Sequence, residues 1–226
     1  MRMCFVNSIF LVALFSVSTA LAEPTRFDDL FAKHLRASSE SFAELAQEIS
    51  PGEASLRAGF EQSRTLSALS RPVKSEGLII VDDMRGVLWL TRTPFRSSLI
   101  LTEDGLKKTA SDGSVKNLSE KEYPAVGIFV EVFMNLLKLN TSALEEKFEI
   151  YIRRGSGNWK IGLKPKAASL KRVLSAVVMT GTKRLERLEI VESQGDDTVV
   201  VFRYPLDFPG EYSELKLSAD ERAFFK

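Results

Sequence analysis

The stretch from Gly59 to Pro94 constrains this chain most. Leu78 to Val81 and Val87 to Thr91 are short runs of Leu, Ile, Val, Trp and Thr, split by the polar segment Asp82 to Gly86. Gly77 and Pro94 punctuate their outer ends. Runs of this kind, broken by Asp, Gly and Pro, read as consecutive antiparallel strands. An isolated hairpin is marginal in water, and one this apolar needs cover on at least one face. The pair therefore has to belong to a larger sheet with a layer packed against it.

The rest of the chain supplies both. Leu56 to Leu69 is a strand candidate ahead of the pair, and Ser98 to Thr102 follows it. Glu103-Asp104-Gly105 is a tight turn. Leu106 to Ala110 and Ser114 to Leu118 form a more polar hairpin suited to a sheet edge. Strands resume at Lys147 to Arg154, turn at Gly155-Ser156-Gly157 and return through Trp159 to Leu163, both with alternating apolar residues. Leu170 to Thr180 is apolar on both faces and reads as strand by its β-branching. Leu185 to Glu192 and Thr198 to Tyr204 form a last hairpin around Ser193 to Asp197. The tail from Pro205 to Lys226 is irregular or a short helix.

Two segments change period. Phe27, Leu30, Phe31, His34 and Leu35 recur at helical spacing, and Phe42, Leu45 and Ile49 resume it after a break at Ser38-Ser39. Ser50-Pro51-Gly52 stops this helix. Pro124 to Leu139 places Val126, Phe129, Val130, Phe133 and Leu137 on one helical face, and Ile128, Val132 and Leu136 widen it. Such a helix is either buried in the core or closes an apolar cavity. The order of elements predicts an α+β fold: one highly curved antiparallel sheet with helices on one face.

The N-terminus stands apart from that core. Arg2, the mostly apolar run Phe5 to Val17 and the small-x-small site Ala20-Leu21-Ala22 predict a signal peptide over residues 1–22, cleaved before Glu23. The alternative, a membrane anchor, would need a longer apolar run. One domain is then expected over residues 23–226. Cleavage removes one of 31 basic residues and none of the 30 acidic ones, so the mature chain is formally neutral. Neutrality disfavours nucleic acid as a partner and offers no net attraction to an anionic membrane. The single Cys4 lies inside the leader, so the mature chain is indifferent to an oxidising compartment.

Chemistry-bearing patterns are missing from the sequence. It has no Gly-x-Ser-x-Gly elbow, phosphate loop, dinucleotide fingerprint or metal-ligand spacing. Asp82-Asp83 and Glu145-Glu146 are neighbours in sequence, and neighbours on a strand point to opposite faces. Asp196 and Asp197 fall in a turn, where acids serve turn geometry. His34 is a packing residue. No enzyme activity, metal or cofactor is expected.

Several short motifs carry a resemblance. Phe60-x-Gln62, then Ser75-x-Gly77, an apolar strand, Gly86-x-x-Trp89 and Pro94-Phe95, is similar to LolA-type outer-membrane lipoprotein carriers in a divergent branch. Asn158 to Pro165, Leu185 to Ile190, and Gly195-Asp196-x-Thr198 followed by an apolar strand fit the same order, so the likeness spans about Phe31 to Tyr204. It implies an unclosed β-barrel whose concave side is covered by helices (LolA-like). It also implies a periplasmic carrier or chaperone that binds the acyl chains of lipoproteins, or another lipid, in a hydrophobic cavity. Implied partners are an inner-membrane donor and an outer-membrane acceptor protein, with the carrier itself a monomer. The same fold serves in non-enzymatic sensors and accessory subunits of envelope lipid systems, which is the alternative function. Typical members carry an arginine where this chain has Asp83; Arg85 lies nearby and is assigned no role. The expected acyl-chain lining is Leu78, Ile80, Trp89, Leu99, Leu101, Phe129, Phe133 and Leu137, with the inward strand face left open by a pattern apolar on both sides.

Overall fold

The computed structural model describes Phe27 and residues 30–31, 37–49, 55–82, 86–102, 105–118, 134–135 and 140–204. Helix α1 (Ser39–Ile49) begins at the expected break: the Ser41 amide donates to Ser38 Oγ at 3.2 Å, which satisfies one of the otherwise unbonded first-turn donors. Phe42, Leu45, Ala46 and Ile49 recur at three- and four-residue intervals and form its buried face.

The strands follow as β1 (Ser55–Thr65), β2 (Val73–Asp82), β3 (Gly86–Thr93), β4 (Ser97–Thr102), β5 (Gly105–Thr109) and β6 (Val115–Leu118). After helix α2 (Thr141–Lys147) come β7 (Phe148–Arg154), β8 (Trp159–Pro165), helix α3 (Ala168–Lys171), β9 (Leu174–Gly181), β10 (Leu185–Glu192) and β11 (Asp197–Arg203). Two short helices depart from expectation. In α2, Asn140 accepts the Ala143 amide as an N-cap and Leu144 is buried, a pattern too short to register as periodicity. Leu170, expected to open a strand, lies in α3, and β9 starts four residues later at Leu174.

One eleven-stranded antiparallel sheet results, in the order β6-β5-β4-β3-β2-β1-β11-β10-β9-β8-β7. Two meanders, β1 to β6 and β7 to β11, are joined by the pairing of β1 with β11, from Gly59–Arg203 to Thr65–Asp197. The edge strands β6 and β7 do not pair, so the sheet is not closed into a barrel. This is the unclosed, helix-covered antiparallel architecture that the sequence led us to expect.

Curvature shows in the packing. On one face, buried residues from β2 to β4 and from β7 to β11 belong to a single apolar cluster, together with those of α1, α2 and α3. Strands from opposite ends of a sheet share one cluster when that face is concave. On the other face the apolar residues fall into two separate groups. One is Leu78, Ile80, Leu88 and Leu90. The second brings Phe27, Leu30 and Phe31 against Ala176 and Val178, so the apolar layer is not confined to a single face as expected. Gly162 makes room for it, since a Cβ there would lie 2.7 Å from both Leu30 and Phe31. Between the two groups the convex face is charged, with Arg187 bound to Glu189 at 2.9 Å and Arg203 to Glu61 at 2.6 Å.

Because every pairing is antiparallel, connections alternate between two rims. The β1–β2, β3–β4, β5–β6, β8–β9 and β10–β11 connections share one, hereafter the first rim. The β7–β8 and β9–β10 turns lie at the opposite rim.

Candidate functional site

The concave face is built from cross-strand rows. Ile79 pairs with Trp89 and Trp89 with Leu99; Val81 pairs with Val87, Val87 with Leu101 and Leu101 with Leu106. In the other half, Ile152, Ile161, Met179, Leu188 and Val200 form an unbroken row through β7, β8, β9, β10 and β11. Phe60 joins the halves: it pairs with Phe202 on one side, and its ring lies 4.3 Å from that of Trp89 on the other. Facing cross-strand pairs of this kind are the unit of sheet stabilisation.

The motifs that carried the sequence resemblance meet here. Phe60 is opposite Gly77 and Gln62 opposite Ser75. A Cβ on Gly77 would come 1.9 Å from the Leu90 carbonyl oxygen and 2.8 Å from the Phe60 ring. Only glycine lets that ring pack across the strand. Ser75 Oγ donates to Gln62 Oε1 at 3.3 Å, which gives a buried amide a partner in an apolar setting.

The expected lining residues divide. Trp89, Leu99 and Leu101 share the concave face. Leu78 and Ile80 point the other way, into the convex group with Leu88 and Leu90. Side chains alternate along a strand, so the concave positions of β2 are Ile79 and Val81. Phe129, Phe133 and Leu137 lie outside the described residues, as do His34, Asp83 and Arg85. Met134 and Asn135 are helical, and half-buried Met134 packs on the concave cluster. Ile79, Val81, Val87 and Phe60 were absent from the expected lining.

Polar groups close the ends of the rows. Arg64 reaches Glu192 at 3.2 Å and Asp196 at 3.7 Å at the first rim, and the Ser67 amide donates to the same aspartate at 2.9 Å. Burial pushes the Glu192 carboxyl above the usual range, Arg64 opposes that, and Asp196 adds to it. At the opposite rim Trp159 Nε1 donates to the Thr182 carbonyl at 2.7 Å and the Tyr204 hydroxyl to that of Leu185 at 2.6 Å. Among the described residues, no three His, Cys, Asp or Glu side chains gather as a metal site. No helix among them is long and apolar enough to cross a membrane. The concave face is thus lined by contiguous buried aliphatic and aromatic side chains, with Arg64 and Glu192 at the first rim and Lys108, opposite Leu99, on β5, where burial lowers its pKa and Lys116 adds to the shift.

No known family and no curated protein matches the sequence. Solved structures do resemble the fold. A DUF1329 family protein from Desulfovibrio piger shares 10% identity at a TM-score of 0.40, covering 78% of this chain and 97% of its own. A LolA superfamily protein from Nitrosomonas europaea shares 9% at 0.39, covering 74% and 92%. A chain of the MucA/MucB complex of Pseudomonas aeruginosa shares 12% at 0.39, covering 74% and 56%.

Proposed function

We propose that this protein is an exported, non-enzymatic carrier whose concave face binds the acyl chains of lipoproteins or of another lipid in the periplasm, for transfer toward the outer membrane. The carrying observation is the single apolar cluster that spans both meanders on one face of a sheet whose edges do not meet. Each acyl methylene taken out of water contributes about 0.8 kcal/mol, so such a wall binds chains without any polar contact to define their register. An open sheet also suits a carrier, because cargo has to leave. Residues 1–22 serve as the cleaved leader in this reading, so purified native protein has a mass that begins at Glu23. An inner-membrane donor and an outer-membrane acceptor complete the transfer.

Trp89 supplies the test. Its ring lies in the concave cluster, and replacing the other tryptophan, Trp159→Phe, leaves it the only indole in the chain. Titration with a dibrominated fatty acid is expected to quench Trp89 emission saturably, with relief by unlabelled palmitate. Emission that stays unchanged, together with no lipid in organic extracts of the native protein, overturns the carrier reading and leaves the sensor or accessory role.

A further inference from the structure

Five large apolar side chains are exposed among the described residues: Leu69, Val73, Phe95, Val115 and Val173, between 42% and 62% accessible. All five lie at the first rim. Leu69 and Val73 flank the β1–β2 connection, Phe95 is in the β3–β4 turn, Val115 opens β6 and Val173 precedes β9. Among the described residues, the turns Gly155–Asn158 and Thr182–Arg184 of the opposite rim carry no large apolar side chain.

Each of the five has an exposed cation beside it. Val73 is followed by Lys74, Phe95 by Arg96 and Val115 by Lys116, Val173 is preceded by Arg172, and Arg71 lies two residues beyond Leu69. Two acids of this rim are turned toward Arg64, while Asp112 and Glu146 are exposed and Asp197 is half-buried. Glu192 and Asp196 are less than about a quarter exposed and face Arg64, and Asp112 accepts the Ser114 amide within its own turn. Three of the connections are tied into one surface. Ser67 bonds Asp196, the Ser193 amide bonds the Val173 carbonyl at 3.2 Å, and Ser193 Oγ bonds that of Lys171 at 2.7 Å.

We infer that the first rim docks on the surface of an anionic phospholipid bilayer. Apolar tips enter the boundary between headgroups and acyl chains, and the cation next to each tip meets the headgroup phosphates. Attraction of this kind grows with buried apolar area and with nearby Lys and Arg, each cation near an anionic surface adding about fivefold in partitioning. A formally neutral chain can do this because its charge is unevenly placed. The inference is independent of whether the concave face carries a lipid, and it says which end of that face would meet a membrane.

Vesicle co-sedimentation of the purified protein tests it, with large unilamellar vesicles of equal parts phosphatidylglycerol and phosphatidylcholine against pure phosphatidylcholine. Binding to the anionic vesicles alone is expected. Lys171→Glu with Arg172→Glu should weaken it at least tenfold. The triple variant Leu69→Ser, Phe95→Ser, Val173→Ser should weaken it about tenfold with an unchanged melting temperature, since these side chains lie outside the core. Arg153→Glu with Lys183→Glu, the same charge change at the opposite rim, should leave it unchanged. Three results overturn the inference: no binding to the anionic vesicles, an equal loss in the opposite-rim variant, or undiminished binding by the apolar triple variant. The first would point to a protein partner for this rim.

Discussion

The two faces of the sheet are made from the same kinds of residue and differ in continuity. On the concave face, apolar residues from both meanders merge into one cluster. On the convex face they form two groups separated by the ion pairs of β10, β11 and β1. Composition per strand hardly distinguishes the faces, since β2 and β3 are buried on both. What distinguishes the two faces is whether neighbouring strands continue the apolar row.

Leu88 and Trp89, adjacent in β3 and opposite in direction, sharpen this most. Leu88 belongs to the convex group and Trp89 to the concave one. Leu88→Ala should cost about 2–5 kcal/mol in urea denaturation, and Trp89→Ala about 3–5 kcal/mol through loss of its contact with Phe60. Only Trp89→Ala should also weaken displacement of a fluorescent fatty acid. Equal weakening in both variants would erase the distinction between the faces.

The two close-packed glycines come next. Gly77 is on the concave side, where an added methyl meets the Leu90 backbone; Gly162 is on the convex side, where it meets the ends of the Leu30 and Phe31 side chains. Overpacking costs about 1–3 kcal/mol. Gly77→Ala belongs at the top of that range because a strand backbone cannot step aside, and Gly162→Ala at the bottom because side-chain tips can. Thermal denaturation giving the reverse order would mean that the Phe27–Phe31 layer is the more rigid packing.

The smallest effect concerns the charged end of the concave rows. The Glu192 carboxyl is raised by burial, so the folded chain holds its proton more tightly than the unfolded chain does. Its contribution to stability is therefore fully present below the ordinary glutamate range and is lost as pH rises through the raised value. Glu192→Gln cannot ionise, so its stability relative to the native protein should improve from about pH 4 to about pH 7. A constant difference across that interval would show that Arg64 fully offsets the burial.

Much of this was legible in the chain. Each expected strand is present, β10 to its very boundaries, because runs of β-branched and aromatic residues between Gly, Asp and Pro leave a backbone few other options. Part of the candidate site was legible too. Asp82 pairs with Gly86, and the same register sets Ile79 opposite Trp89 and Leu78 opposite Leu90. Reading β2 by composition, where residues 78–81 are all apolar, hides this, and so Leu78 and Ile80 entered the expected lining. The α2 helix escaped because seven residues with one buried leucine make no periodicity.

By itself, then, the sequence determined the strands, their antiparallel order within each meander and the motifs Phe60-x-Gln62 and Ser75-x-Gly77, because all of these are local patterns of turn chemistry and side-chain type. Only the tertiary structure decided three things. It paired β1 with β11 across more than a hundred residues, it split the expected lining between two faces, and it gathered five separate apolar–cation neighbours onto one rim of a formally neutral chain. The physical reason is common to them. Which face is concave and which loops share an edge depend on how distant strands pair, and a residue's own neighbours in sequence carry no record of that pairing.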